Sequence, residues 1–92
     1  MKIEFKQDKY TKKKEAIIKF NNKEIKQAIK ILNKCGVKDE LTGAYSIKVN
    51  NKILCIKKLG LKWKIWAYEK HNNTDKITDV TLEDITTFLK VK

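Results

Sequence analysis

Between residues 44 and 69 apolar and polar positions alternate in three short runs, 44–49, 52–57 and 62–69, with Asn50-Asn51 after the first and Leu59-Gly60 after the second. A period of two over such lengths predicts three strands. Asparagine tolerates the positive φ of a two-residue hairpin turn. The first hairpin is therefore expected to set Tyr45 opposite Ile56, Ile47 opposite Leu54 and Val49 opposite Lys52. Placing Lys57 opposite Lys62 in the second hairpin pairs Ile56 with Trp63, Leu54 with Ile65 and Ile53 with Trp66. One face is then apolar, carrying Tyr45, Ile47, Val49, Leu54, Ile56, Trp63, Ile65 and Ala67. A slip of one residue in the third strand would turn Lys62 and Lys64 onto that core, which is why the register is specified.

The other face places Ile53, Cys55, Trp66 and Tyr68 among Ser46, Lys48, Lys57, Lys62 and Lys64. An uncovered tryptophan is uncommon. Either another segment, such as an N-terminal hairpin, covers this patch, or the patch is a contact surface. A Trp and a Tyr ringed by lysines suit a protein hot spot or base stacking beside phosphates.

Upstream, Met1, Ile3 and Phe5 alternate with Lys2, Glu4 and Lys6, which predicts a strand over residues 1–6. Ala16, Ile18 and Phe20 alternate with Glu15, Ile17 and Lys19, a second strand that pairs with the first; the competing assignment extends the following helix back to about residue 12. The polar stretch between them holds Lys12, Lys13 and Lys14, a run that is by default a solvated loop and otherwise a flexible arm reaching phosphates.

A helix over residues 22–34 has both of its ends written in the sequence. Asn21 can cap it, Glu24 completes the capping box, and Phe20 with Ile25 forms the hydrophobic staple. Gly36 is placed to take a left-handed conformation after the last turn, with Val37 folding back on Leu32. Ile25, Ala28, Ile29 and Leu32 share one side, and Lys23, Lys26, Lys30 and Lys34 form a stripe on the other. That stripe, about 16 Å long, is ordinarily a solvated face; its functional alternative tracks a nucleic-acid backbone or an acidic groove. Residues 38–43 and 70–76 are polar links. A second start signal follows, with Val80, cap Thr81, Asp84 three residues on and Ile85, so that Leu82, Ile85, Phe88 and Leu89 share the face of a short helix reaching about residue 90.

The expected fold is α+β, one domain over residues 1–92 in the order ββ-α-βββ-α, with a central antiparallel three-stranded meander packed on two helices. The α-βββ-α part from Asn22 to Lys90 shares its element order with double-stranded-RNA-binding domains. Those domains set a lysine-rich start of the last helix on phosphates, whereas here that turn is Thr81-Leu82-Glu83-Asp84. The shared order is analogy only.

Composition narrows the partner. The chain carries 22 basic residues against 11 acidic ones, a net charge of +11, so an acidic partner is expected. Residues 1–70 hold 19 lysines and seven acids and residues 71–92 three and four, so the charge belongs to the first three-quarters. Every basic residue is lysine and proline is absent, a bias that AT-rich coding sequence produces by itself. Without arginine there is no bidentate guanine readout, which disfavours sequence-specific DNA reading.

Cys35 and Cys55, twenty residues apart with only His71 as a histidine, do not make a metal set and are expected as reduced thiols. No cofactor is expected. No signal-like apolar run opens the chain and the longest purely apolar run is 53–56, so the expectation is a soluble, cytoplasmic protein without a membrane partner. Ser46, His71, Asp75 and Asp79 do not assemble a recognisable catalytic motif, so no enzyme is expected. The leading expectation is a small binding protein of the inhibitor or immunity type, derived from a phage or mobile element, that docks Trp66, Tyr68 and Ile53, with Lys48, Lys57, Lys62 and Lys64 as rim, on an acidic or nucleic-acid-binding surface of a protein. The alternative is a weakly sequence-selective DNA or RNA binder using the same residues. Lys23, Lys26, Lys30 and Lys34, with Lys12, Lys13 and Lys14, form a secondary basic surface.

Overall fold

The computed structural model describes residues 1–91. Its strands are β1 (Lys2–Gln7), β2 (Lys14–Lys19), β3 (Val37–Lys38), β4 (Tyr45–Val49), β5 (Lys52–Leu59), β6 (Lys62–His71) and β7 (Thr74–Thr78). Helix α1 (Asn22–Cys35) links β2 to β3, and α2 (Leu82–Leu89) follows β7. The strands form one antiparallel sheet in the order β1-β2-β6-β5-β4-β3, while β7 pairs with β6 beyond the stretch that β2 occupies. The α+β class, the two helices and the antiparallel sheet are as expected; the order ββ-α-βββ-α and the central three-stranded meander are not, because β3 and β7 add two strands between the helices and the sheet has seven strands. The polar links at 38–43 and 70–76 conceal β3 and β7. Asn72 opens the turn before β7 at φ 52, the same asparagine chemistry that Asn50 and Asn51 supply at φ 52 and 64. Thr74, Ile77 and Thr78 then provide β-branched residues for the strand.

The first hairpin has the expected register, with Tyr45 opposite Ile56, Ile47 opposite Leu54 and Val49 opposite Lys52. The second does not. Gly60, at φ 62, takes the first place of a two-residue turn with Leu61, so Lys58 and Leu59 join the strand and the pairing moves by two residues. Ile56 now faces Ile65, Leu54 faces Ala67, Ile53 faces Tyr68 and Trp66 faces Cys55. A shift of two preserves the side on which each residue lies, so the inner face survives the correction.

That inner face is the core. Ala16, Ile18, Ile47, Val49, Leu54, Ile56, Trp63, Ile65 and Ala67 are all buried, and Ala28, Ile31 and Leu32 of α1 with Ile85 and Phe88 of α2 pack against them. Phe20 meets Trp63 edge-on with ring centroids 5.6 Å apart, the geometry the ring quadrupoles favour. Two residues placed on the core side by spacing, Ile29 and Leu82, sit at the margins of their helices, 42% and 53% exposed, and Ile25, Tyr45 and Leu89 are half-buried.

At the start of α1 the capping box forms as expected, Glu24 N donating to Asn21 Oδ1 at 2.8 Å and Asn21 N to Glu24 Oε1 at 2.9 Å. The end of α1 differs. Gly36 has φ −78 and ψ 151, ordinary extended backbone, and Val37 is exposed in β3 instead of folding back on Leu32. Glycine is needed there for space: a Cβ would lie 2.7 Å from the Leu32 carbonyl oxygen and 3.2 Å from the Tyr45 ring. Gly36→Ala is expected to lower stability by about 1–3 kcal/mol through that backbone clash, measurable by urea melting; an unchanged midpoint would show that the α1–β3 junction is free to shift.

Helix α2 is tied to the first hairpin by one buried carboxylate. Asp84 closes the capping box with Thr81 and is 2% exposed. Its Oδ2 accepts from Lys52 Nζ at 3.0 Å and from Thr81 N at 3.0 Å, and its Oδ1 accepts from Asn50 Nδ2 at 3.3 Å. Burial pushes this carboxyl up, but the Thr81, Lys52 and Asn50 hydrogen bonds outweigh it and hold the group below its ordinary value. A depressed folded-state pKa gives stability that is full above the unfolded value of about 3.9 and is lost as pH falls through the depressed value. Asp84→Ala leaves Lys52 and two amide donors without their acceptor, so a loss of about 3 kcal/mol is expected. Thermal melts should show it at pH 7, together with a weaker dependence of stability on pH below 4 than in the unaltered protein.

Candidate functional site

Both helices pack on one side of the sheet, so the opposite side carries no helix. The N-terminal hairpin extends the sheet past β6 and does not fold over Trp66: Ala16, Ile17 and Ile18 pair with Ile65, Lys64 and Trp63. The open side is built in rows of directly paired residues. One runs Val37, Ser46, Cys55, Trp66 and the next Lys48, Ile53, Tyr68, Ile77. A third runs Lys57, Lys64, Ile17, Glu4.

All seven residues expected at the contact surface therefore lie on one face. Ile53, Trp66, Tyr68, Lys57 and Lys64 are half-buried, and Lys48 and Lys62 are exposed. The Lys64 ammonium sits 5.5 Å from the centre of the Trp66 ring and 3.4 Å from Glu15 Oε2, so one carboxylate holds the cation that covers the indole. Beneath the aromatics, burial pushes the Cys55 thiol up, against a hydrogen bond with Ser46 that lowers it. Burial also pushes the Tyr68 hydroxyl up, with Cys55 and Asp75 adding to it. Tyr68 thus stays a hydrogen-bond donor at neutral pH.

Beside Trp66, where β2 and β7 part along the edge of β6, lies a cleft of about 250 Å³ lined by Trp66, Lys64, Ile77, Lys13, Lys14 and Asp8, among others. The 8–14 loop that carries the Lys12–Lys14 run is turned back on itself by local hydrogen bonds. Asp8 Oδ1 accepts from Tyr10 N at 2.8 Å and Thr11 N at 2.9 Å, Asp8 N donates to the Lys13 carbonyl at 2.8 Å, and Lys12 turns the chain at φ 62. The Thr11 and Tyr10 amides hold the Asp8 carboxyl below its ordinary value. Lys14 N then donates to Asp79 Oδ1 at 2.7 Å. The loop thereby brings Lys13 and Lys14 to the contact surface, while Lys12 stays at its exposed turn.

Lys23, Lys26, Lys30 and Lys34 are exposed along α1, on the far side of the sheet from Trp66. The secondary basic set expected from the sequence is therefore split: Lys13 and Lys14 lie by Trp66, and the α1 lysines form a separate surface. Four apolar contributors to the open face escaped the sequence reading: Ile17, whose outward parity was already written in the β2 alternation, Ile77, hidden with β7, Val37, paired with Ser46, and Leu59, paired with Lys62. The residues weighed for acid–base chemistry are dispersed: His71 Nε2 lies 3.1 Å from Glu69 Oε2, and Asp79 is held by the Lys14 amide. No family model, no curated protein and no solved structure matches the chain.

Trp63 and Trp66 stand three residues apart on opposite faces, so their truncations should separate. Trp63→Ala is expected to lower stability by about 3–5 kcal/mol, and Trp66→Ala by less than half as much. Equal losses in chemical denaturation would place Trp66 in the core and remove it from the surface.

Proposed function

We propose that this chain is a non-enzymatic binding protein, of the inhibitor or immunity kind, that docks its helix-free sheet face on an acidic surface of a protein target. The observation that carries the reading is the composition of that face. Its centre is a strip of Ile53, Trp66, Tyr68 and Ile77, and lysines border it, with Ile17 on the far side of Lys64. Protein interfaces have this anatomy, an apolar centre with aromatic anchors inside a polar rim. Half of the strip is aliphatic, and an isoleucine offers no ring on which a base can stack.

The charges support the same reading. Among the described residues Lys48, Lys57 and Lys62 make no ion pair, which leaves them to steer and orient an acidic partner. Lys64 already shields one side of the Trp66 ring, which favours an edge or side-chain contact over a stacked base. Ser46, near the middle of the face, pairs with Cys55 and Val37, so the strip is small and polar there and a protruding partner side chain fits between the rows.

The test has two arms. Labelled single- and double-stranded DNA and RNA are titrated across a salt series, and the immobilised protein is used to capture partners with Trp66→Ala as the matched control. Weak nucleic-acid binding at physiological salt is expected, with a captured protein whose affinity falls by a factor of about 30 or more in Trp66→Ala, the loss of a hot-spot side chain. Tight nucleic-acid binding that weakens steeply with salt would replace the protein target with DNA or RNA.

A further inference from the structure

One end of the molecule carries exposed apolar groups outside the core and outside the central strip of the open face, with Leu59 at the end of that face opposite Lys62. The hairpin between β5 and β6 reads Lys57-Lys58-Leu59-Gly60-Leu61-Lys62, and its tip leaves Leu59 46% and Leu61 84% exposed. Turn positions ordinarily take polar residues or glycine. Because Tyr45 pairs with Ile56, the 39–43 loop leaves the sheet at the same end, and there Leu41 is 97% exposed. Between the two loops an apolar cleft of about 340 Å³ opens toward the core, lined by Ile29, Leu32, Tyr45, Ile56 and Trp63 with Lys58 at its mouth. Ile29 also borders Lys26, Lys30 and Lys34, so lysines flank this end on both sides, from the hairpin and from α1.

We infer that this end is a docking surface for an anionic lipid bilayer, with Leu59 and Leu61 entering the interface and the flanking lysines meeting the head groups. The argument is one of shape and charge. Leucines standing singly on protruding loop tips suit a deformable apolar layer, whereas a protein partner would need a separate pit for each. Lysines beside an apolar insertion are the arrangement by which anionic head groups add to a marginal hydrophobic anchor. Glu40, next to Leu41, is exposed and opposes close approach of that loop, so the hairpin tip is the primary anchor. Asp39, also exposed, accepts from the Leu41 amide at 2.9 Å and adds to that opposition. Among the described residues no helix is long and apolar enough to cross a membrane; a surface contact needs none. The inference assigns a role to the α1 lysine stripe, which the open sheet face leaves unused. It also departs from the expectation of no membrane partner, which rested on the lack of a spanning segment.

The experiment is co-sedimentation of the full chain with vesicles of phosphatidylcholine alone and of phosphatidylcholine mixed with phosphatidylglycerol, in moderate salt. Binding to the mixed vesicles is expected, falling on the order of tenfold for each of Leu59→Ser and Leu61→Ser and roughly fivefold for each of Lys58→Gln and Lys30→Gln. Leu61→Ser alters a side chain that is almost wholly in solvent, so its melting temperature should match that of the unaltered protein and loss of folding is not an explanation. Trp66→Ala should leave vesicle binding unchanged, which keeps this result separate from the fate of the open-face reading. No binding to the mixed vesicles overturns the inference. Binding that both leucine changes leave intact and that salt abolishes also overturns it, because a net charge of +11 then suffices by itself.

Discussion

The strict alternation of β6 is the constraint on which the remainder of this structure depends. Trp63, Ile65 and Ala67 point into the core and Lys64, Trp66 and Tyr68 point away from it, as a pleated strand requires. Both edges of β6 are occupied, one by β5 along most of its length and the other first by β2 and then by β7. Every segment that joins the sheet here must match its own alternation to that of β6. Ile18 beside Trp63 and Ile77 beside Tyr68 do so on opposite faces. A one-residue error would bury lysines at three strand contacts at once.

Helix placement follows from a second, polar constraint. Asp84 is drawn into the structure by Thr81 as a cap, yet it also accepts from Lys52, which begins β5, and from Asn50, which opens the turn before it. Lys52 in addition donates to the Asp79 carbonyl at 3.0 Å, so one ammonium spans the approach to α2 and its first turn. A buried carboxylate with all its donors in place fixes orientation as well as contributing stability, because any rotation of α2 breaks several hydrogen bonds together. The apolar contacts of Ile85 and Phe88 specify no single angle in that way.

Much of this was legible in the residues because it is local. The period of two in β4, β5 and β6 and the capping boxes at Asn21 and Thr81 require only neighbours in sequence. The alternation of Ala16 and Ile18 likewise identified β2 before its partner was known. What was misjudged depended on distant or very short elements. Gly60 sets the second hairpin as a two-residue turn, and neither the longer loop nor the shorter one changes the side on which any residue lies, so the pattern of burial held no information to choose between them. Gly36 looked like a left-handed helix stop, whereas its backbone is extended and its need for glycine is one of space, set first by the Leu32 carbonyl and then by the ring of Tyr45 nine residues on. Strand β7 is polar because only one of its residues, Ile77, meets an apolar neighbour on the open face, and hydrophobic periodicity is blind to such a strand. The fate of the Trp66 face turned on where the N-terminal hairpin joins the sheet, a tertiary choice that no local pattern encodes.

That an apolar strip remains uncovered has a geometric cause. Six strands side by side span about 24 Å at ordinary spacing, and fourteen and eight helical residues make rods of about 21 and 12 Å. Two such helices cover one face of a sheet this wide and no more. The second face must therefore be made tolerable in water, and Lys48, Lys57, Lys62 and Lys64 interrupt or border its apolar residues, separating the Ile53, Trp66, Tyr68 and Ile77 strip from Ile17 and Leu59. The edge of the sheet is treated in the same way: β1 alternates Lys2, Glu4 and Lys6 along its outward side, and charge on an edge strand discourages pairing with a further copy. With a net charge of +11, two copies repel before their strips can meet. Under the proposed function the same lysines would attract an acidic surface, so that a single distribution of charge would disfavour the chain's own copies and favour an oppositely charged partner.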